Sequence, residues 1–297
     1  MRDERHKAKS TYKKVRVFGL VVCTLLAALC SLAQAQKRYR VGYLTLRPAP
    51  FKQDEMFKQE LRELGWIEGQ NITFDFRGAA GKVDRLVPLA KELVNINVDE
   101  IVTSSTPSAE AARSVTSTIP IVMAGAADPV GSGFVQSLSH PGGNITGLSL
   151  QSPELAGKRI ELLRQIVPKL ARVAFLAYGP DPAHRLFIKE AENAAEDLKI
   201  QIQPLVIQDL AEIENAFAKV VRERADALVI QPLFIGGLGQ SKKIIDLAGK
   251  SRLPTVSDGT LFAELGGLIY YGPSRLELAR RAAALVDKIL KGAKPAN

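Results

Sequence analysis

The chain has 297 residues, 46% hydrophobic and 24% charged, the balance of a water-soluble globular protein with length for two ordinary domains. Its formal charge of +9 is concentrated at the N-terminus: residues 1–35 hold seven Lys/Arg and two Asp/Glu, which leaves 33 against 29, a net +4, for the remainder. So mild an excess, spread without a basic run, gives nucleic-acid binding no support.

Lys13, Lys14 and Arg16 precede the apolar stretch Val17–Leu29, and Ala33-Gln34-Ala35 follows. A positive region, an apolar region and an A-x-A site together predict an export signal, residues 1–35, cleaved after Ala35. The apolar run is short for a membrane span, which makes an uncleaved anchor the weaker reading. Cys23 and Cys30 both lie in this segment, and Val22 and Leu29 before them do not suit a lipoprotein site. The exported chain therefore has no disulfides and needs a conventional core.

From there strands and helices alternate. Arg40–Leu46 reads as a strand and Asp54–Leu64 as an amphipathic helix ended by Gly65. Asn71–Arg77 is a strand, and Val83–Val94 a helix with Leu86, Val87, Ala90, Leu93 and Val94 on one face. In Glu100–Thr116 a β-branched run leads into Ser104-Ser105-Thr106, and Pro107 opens an Ala-rich helix with Thr106 read as its N-cap. Such a terminus offers unsatisfied N–H groups and a dipole to a carboxylate or phosphate; it is equally the form of an ordinary capped helix. Pro120–Ala124 is a fourth strand, followed by Asp128-Pro129, a short helical piece at Phe134–Leu138, and the turn formers of His140–Gly147.

The alternation then restarts. A helix from Ser152-Pro153 to Ile166 precedes a strand at Arg172–Tyr178; a helix from Asp181-Pro182 to Leu198 precedes a strand at Ile200–Val206. Asp209 and Glu212 form a capping box for a helix at Leu210–Arg222. Ala227–Ile230 is a strand, Gln240–Lys250 a helix, and Pro254–Val256 and Leu268–Tyr271 further strands before a final helix capped by Ser274 and Glu277. Strand–helix alternation implies right-handed crossovers and parallel sheets covered on both faces. The fold class expected is α/β, with two Rossmann-like lobes and a cleft between the carboxyl ends of their strands, where ligands of such sheets bind.

Residues just past strand ends are therefore the binding candidates: Thr45 and Arg47; Ser105, Thr106, Pro107 and Ser108; Gly125 to Asp128, including Ala127; Tyr178 to Asp181; Gln231; and Ser257-Asp258. Asp128 or Asp258 can neutralise an ammonium group, although each also fits an Asx turn, and Asp181 reads first as a helix cap. Tyr178 suits stacking on a ligand, whereas Tyr270 reads as core.

Enzyme signatures are absent. There is no G-x-S-x-G elbow, Gly78-Ala-Ala-Gly81-Lys82 has the wrong spacing for a phosphate loop, and Gly236-Gly-Leu-Gly239 lacks the remaining glycine of a dinucleotide fingerprint. His140 and His184 have no neighbours at metal-ligand spacing. The sequons at Asn71 and Asn144 fall in predicted strands and carry little weight. No metal, cofactor or catalytic residue is expected.

The segments PIVMAGAADPVGSGFVQSLSHPGGNITGLS, TSSTPSAEAA and FAELGGLIYYGPS together resemble the tryptophan/phenylalanine-type family of ABC-transporter substrate-binding proteins. The resemblance runs from about Lys37 to the C-terminus and implies a type I periplasmic-binding-protein fold. It implies a non-enzymatic receptor, periplasmic and monomeric, that captures a small amino-acid-like solute and passes it to an ABC permease at the inner membrane. By the same resemblance Ser105–Ser108 lies where a ligand carboxylate binds and Ala126–Asp128 at the cleft. Asn144–Leu150 and Leu268–Tyr271 would cross between the lobes, giving one lobe of 36–146 plus 272–297 and another of 147–271. Similar proteins continue past Lys294–Asn297 through a further strand and a short helix, so truncation is an expectation too. The competing readings are an exported ligand sensor, an exported α/β hydrolase, and the effector domain of a transcription factor, which would need an N-terminal helix-turn-helix.

Overall fold

A computed structural model describes residues 37–48 and 50–296. The expected export segment lies outside the described residues. The chain divides into two compact units, Met1–Arg38 and Tyr39–Asn297; of the first, only the exposed Lys37 and Arg38 are described. All that follows concerns the second.

Its first half builds a sheet from β1 (Tyr39–Thr45), β2 (Ile72–Gly78), β3 (Glu100–Thr103), β4 (Ile121–Ala126) and β5 (Ile145–Ser149), in the order β2-β1-β3-β4-β5. The second half builds another from β6 (Arg172–Tyr178), β7 (Gln201–Ile207), β8 (Ala227–Ile230), β9 (Thr255–Ser257) and β10 (Ile269–Tyr270), ordered β10-β9-β8-β6-β7. Every pairing is parallel. Each strand must therefore return through a crossover, and helices cover both faces.

In the first lobe α1 (Lys52–Glu63) and the last helix lie on one face, and α2 (Leu86–Asn95) and α3 (Thr106–Val115) on the other. Strand residues alternate between the two layers: Val41, Tyr43, Val102 and Val122 face the first, and Leu44, Ile101, Ile121 and Met123 the second. The second lobe repeats the scheme. Its α4 (Ala156–Ile166) and α5 (His184–Leu198) cover Val173, Phe175 and Val229, while α6 (Ile213–Arg222), α7 (Leu233–Gly236) and α8 (Ser241–Lys250) cover Ala174, Leu176 and Leu228. After the short α9 (Thr260–Glu264), α10 (Arg275–Leu290) returns to pack on α1, β4 and β5. The chain thus passes between the lobes once after β5 and once after β10. At β5 the register against β4 shifts between Met123 and Ala126. Gly147 lies there with φ +144, and any Cβ on it would stand 2.4 Å from the Met123 carbonyl oxygen, so only glycine fits.

Several sequence expectations need correction. Phe134–Leu138 is not helical: Asp128 to Gly133 turns on itself, and Phe134 and Val135 drop from that loop into the core. The N-cap of α3 is Ser105, one residue early, because Ser108 three residues on completes a reciprocal capping box; Pro107 is tolerated since its missing N–H is one the first turn leaves unbonded. α4 starts at Ala156 and α5 at His184, because Ser152 and Asp181 spend their side chains on long-range and turn bonds described below. Tyr270 is 44% exposed on the edge strand β10 and not core. Sequence periodicity also misses α7 and α9, each barely one turn long.

Candidate functional site

On the first lobe the strand ends are stitched together by hydroxyls. Ser104 Oγ donates to Thr45 Oγ1 at 2.8 Å, which also accepts the Arg47 N–H at 3.2 Å. Thr106 Oγ1 accepts the Ala127 N–H at 3.0 Å, so the start of α3 is fixed against the end of β4. Within the cap, Ser108 N–H donates to Ser105 Oγ, Ser105 N–H donates to Ser108 Oγ, and Ser108 Oγ donates to the Ser105 carbonyl. Ser108 is thus fully occupied, and of this pair the Ser105 hydroxyl hydrogen is the one free to turn from Ser108 Oγ (2.9 Å) towards a ligand. Thr45, Thr106, Pro107, Ser108 and Ala127 are buried. Asp128 Oδ1 accepts the N–H groups of Val130 (3.1 Å) and Gly131 (2.9 Å), the Asx turn weighed from sequence. Beside them Arg47 is 3% exposed and bidentate on Asp54 (2.6 and 2.8 Å), with its guanidinium 4.7 Å from the Phe51 ring centre.

On the second lobe Tyr178, Asp181 and Gln231 form one buried network. β8 lies next to β6 in the sheet, so Gln231, just past β8, stands beside the loop that follows β6. Gln231 Oε1 accepts the Tyr178 N–H at 2.8 Å, which turns its amide so that Nε2 donates to Asp181 Oδ2 at 2.6 Å. Asp181 Oδ1 accepts the Ala183 N–H at 3.1 Å, and the His184 ring nitrogen Nδ1 bonds the Asp181 carbonyl oxygen. Burial pushes the Asp181 carboxyl up to about 7, and the Ala183 N–H offsets only part of that. The Tyr178 hydroxyl is raised by burial, then by the charges of Asp209 and of Asp84 on the opposite lobe.

Asp258 stands apart from both groups. It is 1% exposed, accepts Ser152 Oγ at 3.1 Å and pairs with Arg275 at 2.8 Å, joining the second lobe to the helix that packs on the first. Arg159, also 1% exposed, donates to the Ser152 carbonyl (2.9 Å), to Ser152 Oγ (3.3 Å) and to the Tyr271 carbonyl (2.9 Å). Both crossings are therefore tied to one guanidinium. Burial lowers its affinity for a proton, Asp258 supports the charge and Arg275 opposes it. Sequence reading missed Arg159, Ser152 and Arg275, yet Arg159 left a signal: an arginine in register with Ala156, Ile160 and Leu163 on the buried face of α4.

The lobes approach each other closely at two places. A Cβ on Gly81 would stand 3.2 Å from the Leu238 carbonyl oxygen, and one on Gly131 would stand 3.4 Å from the Leu186 side chain. Among the described residues no group of His, Cys, Asp and Glu is arranged to hold a metal, and no helix is long and apolar enough to cross a membrane.

Two parallel α/β lobes, two crossings tied by the Arg159 hydrogen bonds and the Arg275–Asp258 pair, and polar strand ends on both sheets define a type I periplasmic-binding-protein fold, the architecture of a two-lobe solute receptor. The chain belongs to the ABC transporter substrate binding protein family, whose sequence model matches residues 46–297. It is 26% identical over 262 residues to a tyrosine-binding protein of Clostridioides difficile strain R20291, covering 88% of this chain and 74% of that one. Among solved structures it is similar to an ABC domain from Streptococcus pneumonia in complex with L-Trp, with TM-score 0.80, 25% identity, and 88% and 87% of the two chains covered. A conserved domain protein of Vibrio cholerae matches over the same shares with TM-score 0.77 and 26% identity. The family is one of substrate-binding receptors and is not an enzyme family.

Proposed function

We propose that this chain is the periplasmic receptor of an ABC importer, a monomer freed by cleavage after Ala35, which closes on an amino-acid-like solute and delivers it to an inner-membrane permease. The carrying observation is the end of β3. There Ser105 caps α3 at the carboxyl edge of the first sheet, with a hydroxyl hydrogen and the first-turn dipole available to a carboxylate. The tyrosine and L-Trp named for its relatives support an α-amino acid, and an aromatic one first. The lobes that close are 36–146 with 272–297, and 147–271. Closure excludes water from the strand ends and strengthens each polar contact there.

The test is a thermal-shift screen of the twenty amino acids on protein unfolded and refolded to remove carried-over solute. A ligand at about a hundred times its dissociation constant stabilises the folded state by about 2.7 kcal/mol. A midpoint shift confined to one class of amino acid is the expected result. A folded protein that responds to none of them would overturn the reading.

A further inference from the structure

Four aspartates follow strands on the cleft side, and their partners separate them; Asp209, past β7, caps the turn that follows through the Ala211 N–H. Asp128 is occupied by its own turn, and Asp258 is paired with Arg275. Asp181 accepts only neutral donors, the Gln231 amide and the Ala183 N–H, and among the described residues no Lys, Arg or His forms an ion pair with its carboxylate. Two donors occupy about half of the roughly four acceptor positions of a carboxylate. The amide cannot rotate to offer its oxygen, because the Tyr178 N–H holds that oxygen on the other side. The residue is 3% exposed and lies over the ends of β6 and β8, beside Tyr178, which feels the charge of Asp84 on the first lobe.

We propose that Asp181 is the specificity-determining residue for the solute's amine: it selects ligands that carry an ammonium group, and each binding event releases one proton from its carboxyl. The proposal rests on the receptor reading above. The exchange balances: a neutral carboxylic acid and R–NH3+ become a carboxylate–ammonium pair and a proton given to solvent. A buried carboxylate with neutral partners holds its proton near neutrality, and an ammonium group is the partner that makes ionisation favourable. The surrounding groups supply no other cation. Tyr178 and His184 come from the same loop, with His184 turned to the backbone carbonyl; Gln231 comes from the end of β8; Asp209 and Asp84 lie beyond Tyr178 and are acidic.

The experiment uses L-tryptophan and L-tyrosine against their desamino analogues, 3-(indol-3-yl)propionate and 3-(4-hydroxyphenyl)propionate. Affinity is measured by calorimetry between about pH 5 and pH 8 in phosphate and in Tris, whose ionisation heats differ and so count protons. The amino acids should bind about tenfold more weakly for each pH unit below about pH 7, level off above it, and release up to one proton. The desamino analogues should bind worse, without that slope. Asp181→Asn should erase both the slope and the preference for the amine. His184→Asn should keep the slope, which separates the carboxyl from the nearby imidazole. Amino acids that bind with no slope and no proton release would sink this inference and leave the receptor standing; a folded protein that binds no amino acid would remove both.

Discussion

Glu100 shows how a single residue can carry a pH dependence far from the cleft. It opens β3, opposite the strand end that carries Ser105, and is fully buried with neither carboxylate oxygen bonded. Burial, with help from the neighbouring charge of Asp99, raises its proton affinity well above that of an ordinary glutamate. The folded chain therefore holds the Glu100 proton to higher pH than the unfolded chain does. Below about pH 4 both states are protonated and nothing is lost; as pH rises, the unfolded state sheds its proton first and stability falls, by up to about 1.4 kcal/mol per pH unit until the folded-state value is passed. Glu100→Gln should remove that loss. Urea unfolding of both proteins at about pH 4.5 and pH 7.5 checks it: the variant's advantage should grow with pH, and a constant difference would contradict the assignment.

At the scale of one element, α3 joins capping to the candidate site. Ser105→Ala removes the acceptor for the Ser108 N–H and should cost about 1 kcal/mol of folding stability. Thr106→Val leaves the buried Ala127 N–H without its acceptor and should cost about 1–3 kcal/mol. Chemical denaturation ranks the two, and a Thr106→Val protein as stable as the wild type would detach the start of α3 from β4. This strand–loop–helix unit was legible in sequence because its signals are local: β-branched residues, then hydroxyls, then proline before an alanine-rich period. β6 and β8 were legible for the same reason, down to their bounds. What pairs with what was not. Gln231 meets Asp181 only because β7 takes the outer side of β6 and leaves the inner side to β8, an order that chain position does not announce. The Arg275–Asp258 pair likewise depends on how the chain re-enters the first lobe.

For the whole molecule, closure depends on what happens where the two crossings meet. Arg275 pairs with Asp258 directly, Arg159 reaches that carboxylate only through the Ser152 hydroxyl between them, and Asp258 also packs against Gly272, where a Cβ would come within 2.6 Å of its own. Breaking a buried pair by removing one partner leaves the other charge poorly compensated, although a pair with one member 27% exposed loses less than a fully buried one. Arg275→Gln should therefore weaken solute binding by about 1–3 kcal/mol, through a smaller closed population and not through a lost ligand contact. Small-angle scattering of the ligand-free variant should report a larger radius of gyration than the wild type. Equal radii with weakened binding would place Arg275 on the ligand.

The packing of Trp66 has an optical consequence. It is the only tryptophan in the chain, edge-on to Tyr39 at 5.2 Å, and its indole nitrogen donates to Asp287 of α10 at 2.8 Å. It follows the C-terminal end of α1, on the side of the sheet opposite the strand ends that face the cleft. Red-edge-excited emission from the protein is therefore a gauge of whether α10 is docked. An indole solute would bring a second lamp of the same colour, whereas a phenolic one is dark at that wavelength, so with tyrosine in the cleft the light still reports on α10 alone.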